Sequence, residues 1–325
     1  MAVKIGFVGA GWVAGQHLQS LGKIPEARVV AVADVDADKA ASAAAQIAGA
    51  AAYSDHDEML AEQELDAVYI CVPPHVHGEI ELAVIERGIP FFLEKPLAND
   101  LETPRRILEA VRAADLLASV GYLMRYRETV GRALEYLAEH VPVVARGTYV
   151  CDVPPPPWWR RKEQSGGQIV EQSTHIVDLT RYLFGQVESV FCVRRRDLIT
   201  DLENYTADDA SICSLRFASG MVCEVTSSCA MQEARVGLEV LTRTGRLELT
   251  TGQLNLTVES AGETHSYASS DDAFLAEDQA FIEALQTGDR SGIRSDYADA
   301  FRTQAVTCAA NESMASGEPV TVEEP

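Results

Sequence analysis

The chain opens with a glycine-rich turn between a predicted strand and a predicted helix. Residues 4–15 read KIGFVGAGWVAG, in which apolar residues are followed by small ones. Gly9 permits a tight turn, Gly11 lets a pyrophosphate approach the backbone, and Ala14 allows the helix to pack closely on the strand. The first turn of such a helix offers unpaired N–H groups to phosphate oxygens. The pattern therefore predicts a dinucleotide-binding turn, with cofactor contacts from Gly9, Ala10, Gly11, Trp12 and Val13.

A second apolar segment, residues 28–33, ends at Asp34, about 20 residues beyond the turn, where the carboxylate that binds the ribose hydroxyls is expected. The alternative, a glycine turn in some other α/β domain, does not require this acidic residue. Asp34 favours NAD over NADP, because a carboxylate would repel a 2′-phosphate and no arginine occurs at residues 35–38.

The order of predicted elements changes along the chain. Up to residue 122, apolar strands alternate with helices, which predicts an α/β Rossmann domain with a doubly wound parallel sheet. In residues 123–325, after a helix at about residues 129–140, consecutive strands are interrupted by one clear helix, 169–184, before residue 270, and two helices close the chain. This order predicts an α+β domain with a large, mainly antiparallel open sheet, and we expect its C-terminal helix to pack back on the first domain. Five strand residues predict that one sheet face pairs subunits into a dimer or tetramer: Cys213, Leu215, Phe217, Val222 and Val225.

Composition restricts the partners and the compartment. The 325 residues include 27 Lys and Arg against 49 Asp and Glu, a net charge of −22, which disfavours nucleic acids and anionic membranes as partners. Seven scattered cysteines without a C-x-x-C pair predict reduced thiols, and a fingerprint strand starting at residue 3 or 4 leaves no room for a signal peptide. We therefore expect a cytoplasmic protein.

The loop after the strand 67–72 should border the cofactor, because ligands bind beyond the carboxyl ends of parallel strands. Val72, Pro73 and His77 are the cofactor-binding candidates in this loop. His75 and His77 could suggest a metal, but no carboxylate or cysteine cluster accompanies them at ligand spacing, so no metal site is predicted. His77 is better explained as a residue that caps the next helix or holds the loop.

The segment Glu94-Lys95-Pro96 follows the next strand, at the same edge of the sheet. A lysine beside apolar residues is partly desolvated, which lowers its pKa and suits it to proton transfer or to polarising a hydroxyl. The alternative is a solvated charge pair at a strand end. Glu94 and Lys95 are predicted to lie beside the cofactor, with Lys95 as a catalytic residue.

A second candidate group opens the long predicted helix of the C-terminal half. Glu171, His175 and Asp178 follow two glycines at spacings that place them on one helix face. A carboxylate beside an imidazole orients it and raises its basicity. The alternative is a surface ion network with Arg181.

Together these motifs resemble the glucose–fructose oxidoreductase and inositol dehydrogenase family (Gfo/Idh/MocA), nearly end to end. The resemblance rests on an ordered set of segments: the fingerprint with Asp34, Pro73-Pro74-x-x-His77, Glu94-Lys95-Pro96, Gly121-Tyr122-x-x-Arg125, Trp159-Arg160 and His175-x-x-Asp178. Two positions depart from the family, because this chain has Glu171 where Asp is usual and Ser173 where Gly is usual.

The resemblance implies NAD(P)-dependent oxidation or reduction at a carbinol carbon of a sugar, cyclitol or similar polyol. It implies that Lys95 contacts the reacting hydroxyl and that His175 accepts its proton, so the two must converge on one substrate. Substrate contacts are expected from Glu171, Arg125, Trp159, Arg160 and Asp178. Two other functions remain open: a glycosidase that oxidises its sugar transiently before elimination, and a non-catalytic nucleotide-binding sensor.

Overall fold

The computed structural model describes residues 2–251 and 253–324. The strands are β1 (Val3–Val8), β2 (Ala27–Ala33), β3 (Ala51–Tyr53), β4 (Ala67–Ile70), β5 (Phe91–Leu93), β6 (Ala118–Val120), β7 (Pro142–Val150), β8 (Val187–Arg195), β9 (Ala210–Phe217), β10 (Val222–Ser228), β11 (Arg235–Thr242), β12 (Gly245–Thr250), β13 (Asn255–Ser260), β14 (Glu263–Tyr267) and β15 (Val320–Thr321). The helices are α1 (Trp12–Leu21), α2 (Ala37–Ala44), α3 (His56–Glu62), α4 (Glu79–Glu86), α5 (Glu102–Ala114), α6 (Glu128–Glu139), α7 (Lys162–Ser165), α8 (Gln168–Glu171), α9 (Thr174–Phe184), α10 (Ala273–Thr287) and α11 (Tyr297–Ser316).

The first six strands form a parallel sheet in the order β3-β2-β1-β4-β5-β6. This is the doubly wound order, in which the chain reverses direction across the sheet between β1 and β4. Strands β4, β5 and β6 are buried at every residue, as expected for a parallel sheet covered on both faces. The predicted Rossmann domain is confirmed, and the reversal point defines where a ligand is expected.

The chain divides into two compact units. The first runs from β1 to Ala98 and includes Glu102–Leu123 and Asp272–Ala300, whereas the second holds Asn99–Leu101, Met124–Asp271 and the chain from Phe301 onward. Helix α10 therefore belongs to the first unit, where it packs on α1 and adds Phe281 and Ile282 to the core. In the described residues, no helix is both long and apolar enough to cross a lipid bilayer.

A nine-stranded sheet dominates the second unit, in the order β14-β13-β12-β11-β7-β10-β9-β8-β15. Neighbouring strands run antiparallel except β7 and β10, which are parallel. The predicted large and mainly antiparallel sheet is thus confirmed. It extends further than the sequence analysis anticipated, because β13, β14 and β15 were not predicted.

Helix α9 lies on one face of this sheet against β7 and β10. The approach is close: a Cβ atom on Gly147 of β7 would lie 2.4 Å from a methyl carbon of Ile176. A side chain at position 147 would therefore push the helix away from the sheet.

The residues predicted to pair subunits are mostly not on the open face of the nine-stranded sheet, which is the face opposite helix α9. Cys213, Leu215, Phe217 and Val225 are buried inside the unit, and of the predicted set only Val222 is exposed. The period of two along a strand explains the error, because the neighbours of buried residues point to the other face. The exposed large apolar residues of strands β8, β9 and β10 are Phe191, Val193, Ile212 and Val222.

Two further predictions about the second unit need correction. The helix predicted over 169–184 is interrupted after Glu171: the Ser173 N–H bonds back to Gln168, and the His175 N–H bonds to Gln172. The thiols are not all reduced either, because a disulfide joins Cys192 to Cys213. These cysteines are directly opposite on β8 and β9 with Cα atoms 4.1 Å apart, a register that scattered spacing in the sequence does not reveal.

Candidate active site

The predicted dinucleotide turn connects β1 to α1 at the reversal point of the parallel sheet. Gly9 has φ +94°, and a Cβ atom there would lie 2.2 Å from the carbonyl oxygen of Cys71. Glycine is therefore required by the protein itself at this position. At Gly11 the situation is opposite, because φ is −75° and a Cβ atom there would have none of the described residues within 4 Å apart from its neighbours along the chain. The backbone at Gly11, at the start of α1, is therefore accessible to a ligand.

Asp34, at the end of β2, is tied to this turn. Its Oδ2 accepts a hydrogen bond from the backbone N–H of Ala10 at 2.8 Å, and its Oδ1 accepts one from Asp36 at 2.9 Å. The carboxylate is half-buried, so it is oriented by the backbone and still reaches the surface. Hydrogen bonds thus join the turn and the acidic residue directly.

These features fit an adenine dinucleotide. The start of α1 has no side-chain cap, so its first N–H groups are available to phosphate oxygens. The open space at Gly11 would accept a pyrophosphate that a Cβ atom would obstruct, and Asp34 retains lone pairs for ribose hydroxyls. Ala10 and Val13 line the same turn, and Trp12 is largely exposed beside it.

The loop after β4 is held by a buried pair. Nδ1 of His77 hydrogen-bonds to Oε1 of Glu81, and Oε2 of Glu81 accepts from the N–H of Gly78 at 2.6 Å. His77 therefore fixes the loop that carries the half-buried Val72 and Pro73 and starts α4. Within the described residues, Nε2 of His77 is buried and has no hydrogen-bond partner.

Glu94 and Lys95 follow β5, which is the strand next to β4. Glu94 is 4% exposed, and its Oε2 accepts from the backbone N–H of Lys95 at 3.1 Å. Lys95 is half-buried, as predicted for a lysine at the cofactor edge. The alternative of a solvated charge pair does not fit a buried Glu94.

Glu171 and Trp159 meet in the second unit. Nε1 of Trp159 donates to Oε2 of Glu171 at 2.6 Å, and Nε2 of Gln172 donates to the same oxygen at 2.7 Å. Trp159 is 1% exposed, so the indole anchors its loop rather than standing in solvent. The longer side chain of Glu171 is thereby held in a defined place.

Arg125 and Asp178 form a buried ion pair. Nε of Arg125 donates to Oδ2 of Asp178 at 2.7 Å, and one terminal nitrogen donates to Oδ1 at 2.5 Å. Thr303 also donates to Oδ1, at 2.8 Å, and accepts from Arg181 at 2.7 Å. Asp178 thus joins helix α9 to helix α11 inside the second unit. The surface ion network with Arg181, which the sequence left open as an alternative, is instead a buried network of hydrogen bonds.

His175 is 8% exposed near the start of α9, with its ring stacked on Tyr149 at a centroid distance of 6.3 Å. Burial raises the pKa of Tyr149, so this phenol stays neutral beside the imidazole. Arg160 lies in the loop before α7, where its Nε is buried and meets no hydrogen-bond partner among the described residues.

The sequence analysis missed a buried set of residues in the first unit. His17 on α1 contacts both Glu94 and Asp278, and Tyr69 donates to Asp278 at 3.1 Å. One signal was present in the sequence: His17 lies three residues after Ala14, on the helix face that must pack against the sheet. Its acidic partners could not be found, because they lie 77 and 261 residues away.

Comparisons with known proteins agree with this geometry. Residues 3–122 match the family described as GFO_IDH_MocA, oxidoreductase family, NAD-binding Rossmann fold, and residues 141–248 match the GFO/IDH/MocA C-terminal domain. Inositol 2-dehydrogenase 4 of Saccharopolyspora erythraea is 28% identical over 225 residues, which are 69% of this chain and 66% of that protein. Myo-inositol 2-dehydrogenase of Thermotoga maritima is 27% identical over 232 residues, 70% of this chain and 68% of that protein.

The matched segments thus span about two thirds of the length of these two relatives. Among solved structures, levoglucosan dehydrogenase in complex with NADH and levoglucosan has a TM-score of 0.90 and 21% identity, with 100% of both chains covered. At that identity the likeness establishes a shared fold.

The fold and the glycine turn define a protein with a dinucleotide-binding Rossmann domain. The two matched domains, in the same order as in the family, show that the chain belongs to the GFO/IDH/MocA oxidoreductases. The predicted family and the predicted cofactor, NAD, are confirmed.

Proposed function

We propose that the protein is an NAD-dependent dehydrogenase that acts on a carbinol carbon of a sugar, cyclitol or related polyol. The observation that carries this proposal is Lys95, half-buried after β5 at the sheet edge that also bears the dinucleotide turn. Relatives named as inositol dehydrogenases and the fold shared with levoglucosan dehydrogenase support this substrate class.

In the proposed reaction a secondary alcohol becomes a ketone. NAD, when bound, supplies the acceptor for the hydride that leaves the carbinol carbon. Lys95 donates a hydrogen bond to the substrate hydroxyl and stabilises the negative charge that develops on its oxygen. His175 accepts the hydroxyl proton, so the carbon loses a hydride and the oxygen loses a proton.

The remaining site residues divide into two roles. Glu171, held by Trp159, and Arg160 bind substrate hydroxyls. Arg125 and Asp178 neutralise each other in a buried ion pair. Their role is to hold in place helix α9, which carries His175.

The test is a panel of inositols, aldoses, levoglucosan and sugar phosphates incubated with the protein and NAD. We expect absorbance at 340 nm to rise with at least one neutral polyol. Cleavage of a glycoside without net NADH would favour the oxidation–elimination glycosidase instead. A protein that binds NADH but is inert toward every compound would support the sensor and overturn the proposal.

We also propose that two copies of the chain pair through the exposed face of the nine-stranded sheet. Val193 on β8 is opposite Ile212 on β9, and both side chains are about half exposed. Adjacent apolar side chains on an open sheet face are typical of an interface. Light scattering should give a dimer or tetramer for the native chain and a monomer for Ile212→Asp, whereas equal masses would contradict this interface.

A further inference from the structure

His17 occupies an enclosed place in the core of the first unit. It is 0% exposed, and the rings of Phe92, Phe274 and Tyr69 surround it at centroid distances of 4.9, 5.2 and 5.4 Å. Aromatic contacts on several sides fix the plane of the imidazole, so the directions of its two nitrogens are determined by packing.

Both nitrogens of this ring point at carboxylates. Nδ1 lies 2.8 Å from Oδ1 of Asp278, and Nε2 lies 3.1 Å from Oε1 of Glu94. A neutral imidazole can donate only one hydrogen bond, whereas an imidazolium donates two. Burial by itself lowers the pKa of His17, but Asp278 and Glu94 outweigh burial and raise this pKa well above its ordinary value.

A metal ion is a weaker explanation for this cluster. Oxygen atoms of Glu94 and Glu277 and a nitrogen of His17 do lie within 4.8 Å of one another. A metal would require the lone pair of Nε2, and the 3.1 Å contact instead fits a proton shared between Nε2 and Glu94. The geometry therefore describes a charged hydrogen-bonded chain.

Glu94 connects His17 to Lys95. Its Oε1 faces His17, and its Oε2 accepts from the N–H of Lys95. The carboxylate also packs against Gly121, where a Cβ atom would lie 2.6 Å from the same Oε1. Glu94 is thus confined between an imidazole, a glycine and the peptide of Lys95.

We propose that His17, as an imidazolium, is a positioning residue for Lys95: it holds Glu94, and Glu94 holds the Lys95 backbone. The chain of contacts also ties α10, through Asp278, to the segment that bears the lysine. The catalytic part of this inference rests on the proposed dehydrogenase function. The structural part does not, since it concerns the protein without substrate.

Two substitutions separate positioning from mere packing. The amide nitrogen of His17→Gln falls near the place of Nε2 and can still donate to Glu94. The amide nitrogen of His17→Asn falls near Nδ1 and can donate only to Asp278. Both remove the charge and the ring, so both should lower thermal stability by a similar amount.

The first readout needs no turnover. Hydrogen exchange with residue-level fragmentation should show the Lys95 amide exchanging about tenfold faster in His17→Asn, as expected for one lost hydrogen bond, and within about threefold of native in His17→Gln. Long-range ¹H–¹⁵N spectra at pH 7 should contain the signal of a histidine protonated at both nitrogens that is absent from both variants and present in the control His265→Asn. A neutral His17, or equal exchange in the two variants, would overturn the inference.

The second readout is kinetic. With the polyol that the native enzyme oxidises, kcat should fall by about 10- to 100-fold in His17→Asn at unchanged NADH affinity, because small displacements of a catalytic group are costly. His17→Gln should restore kcat to within about threefold. Equal losses in both variants would refute positioning, whereas a native protein inert toward all polyols would refute the dehydrogenase and leave the exchange result to decide on His17.

Discussion

Glycine turns precede helices α1 and α8, and the two turns need glycine for different reasons. In the first turn, the backbone of Cys71 requires glycine at position 9, whereas Gly11 borders space that the described residues leave open. At Gly166 and Gly167, both residues have positive φ, and a Cβ atom on Gly166 would lie 2.7 Å from Val170 of the same turn. Glycine in the first turn leaves room for a ligand, whereas glycine in the second turn is needed for the conformation and packing of the turn itself.

This difference extends to the two units. In the first, each site residue directly follows a parallel strand, and the carboxyl ends of these strands meet at one edge of the sheet. In the second, Asp178 depends on Arg125 and Glu171 on Trp159, partners that lie in other segments of the chain. Substitutions should therefore affect ligand binding in the first unit and stability in the second.

The largest effect should come from the buried pair of the second unit. Asp178→Asn removes the negative charge that Asp178 places beside the buried guanidinium of Arg125, and we expect the free energy of unfolding to fall by about 3–5 kcal/mol. Urea denaturation measures this loss. The double variant Asp178→Asn, Arg125→Gln should lose less than the sum of the single losses, and additive losses would show that the pair is not coupled.

Gly11→Ala tests the opposite behaviour in the first unit. The added methyl meets no protein atom, so the free energy of unfolding should change by less than about 1 kcal/mol. It occupies the space expected for the pyrophosphate, so the Kd for NADH should rise by about 30-fold. Gly15→Ala, whose methyl is also unobstructed, is the matched control, and equal Kd values for both variants would remove the ligand explanation of Gly11.

Asp34→Ser should change cofactor preference rather than folding. Removing the carboxylate removes its repulsion of a 2′-phosphate, so the ratio of NADPH to NADH affinity should rise by about tenfold. Fluorescence titration with both nucleotides measures this ratio. Asp36→Asn makes the same change of charge two residues away, and a similar rise in that variant would indicate a general electrostatic effect.

The smallest effect concerns Asp208 in the second unit. Burial raises the pKa of Asp208, but hydrogen bonds from Lys162 and Arg196 outweigh burial and lower it below its ordinary value. A carboxyl with a lowered pKa stabilises the fold above its unfolded pKa and loses that contribution as the pH falls through its folded value.

Asp208→Asn should therefore cost about 1 kcal/mol at pH 7, and the difference from the native protein should shrink as the pH falls below about 4. Urea denaturation over this pH range measures it. A difference that is constant with pH would mean that the ionised form of Asp208 has no special role.

The sequence predicted most where structure is local. The six parallel strands and the fingerprint with Asp34 each have a signal within about 30 residues. Strand β14 has no such signal, because all of its residues, Glu263–Tyr267, are exposed and do not alternate in polarity. The disulfide between Cys192 and Cys213 depends on strand register, and the contact of His17 with Asp278 depends on how α10 returns to the first unit, so neither could be found from spacing.

The central claim is that Lys95 and His175 act on one reacting hydroxyl, and a double-mutant cycle tests it most directly. Lys95→Met, His175→Asn and the double variant are compared with the native enzyme by kcat for NADH formation, with NADH affinity as the control. General acid–base groups contribute about 10²–10⁴-fold each. If both act in one step, the double variant should be about as slow as the slower single variant. If the fold-loss in kcat of the double variant equals the product of the two single fold-losses, the two residues act independently, which would contradict the account.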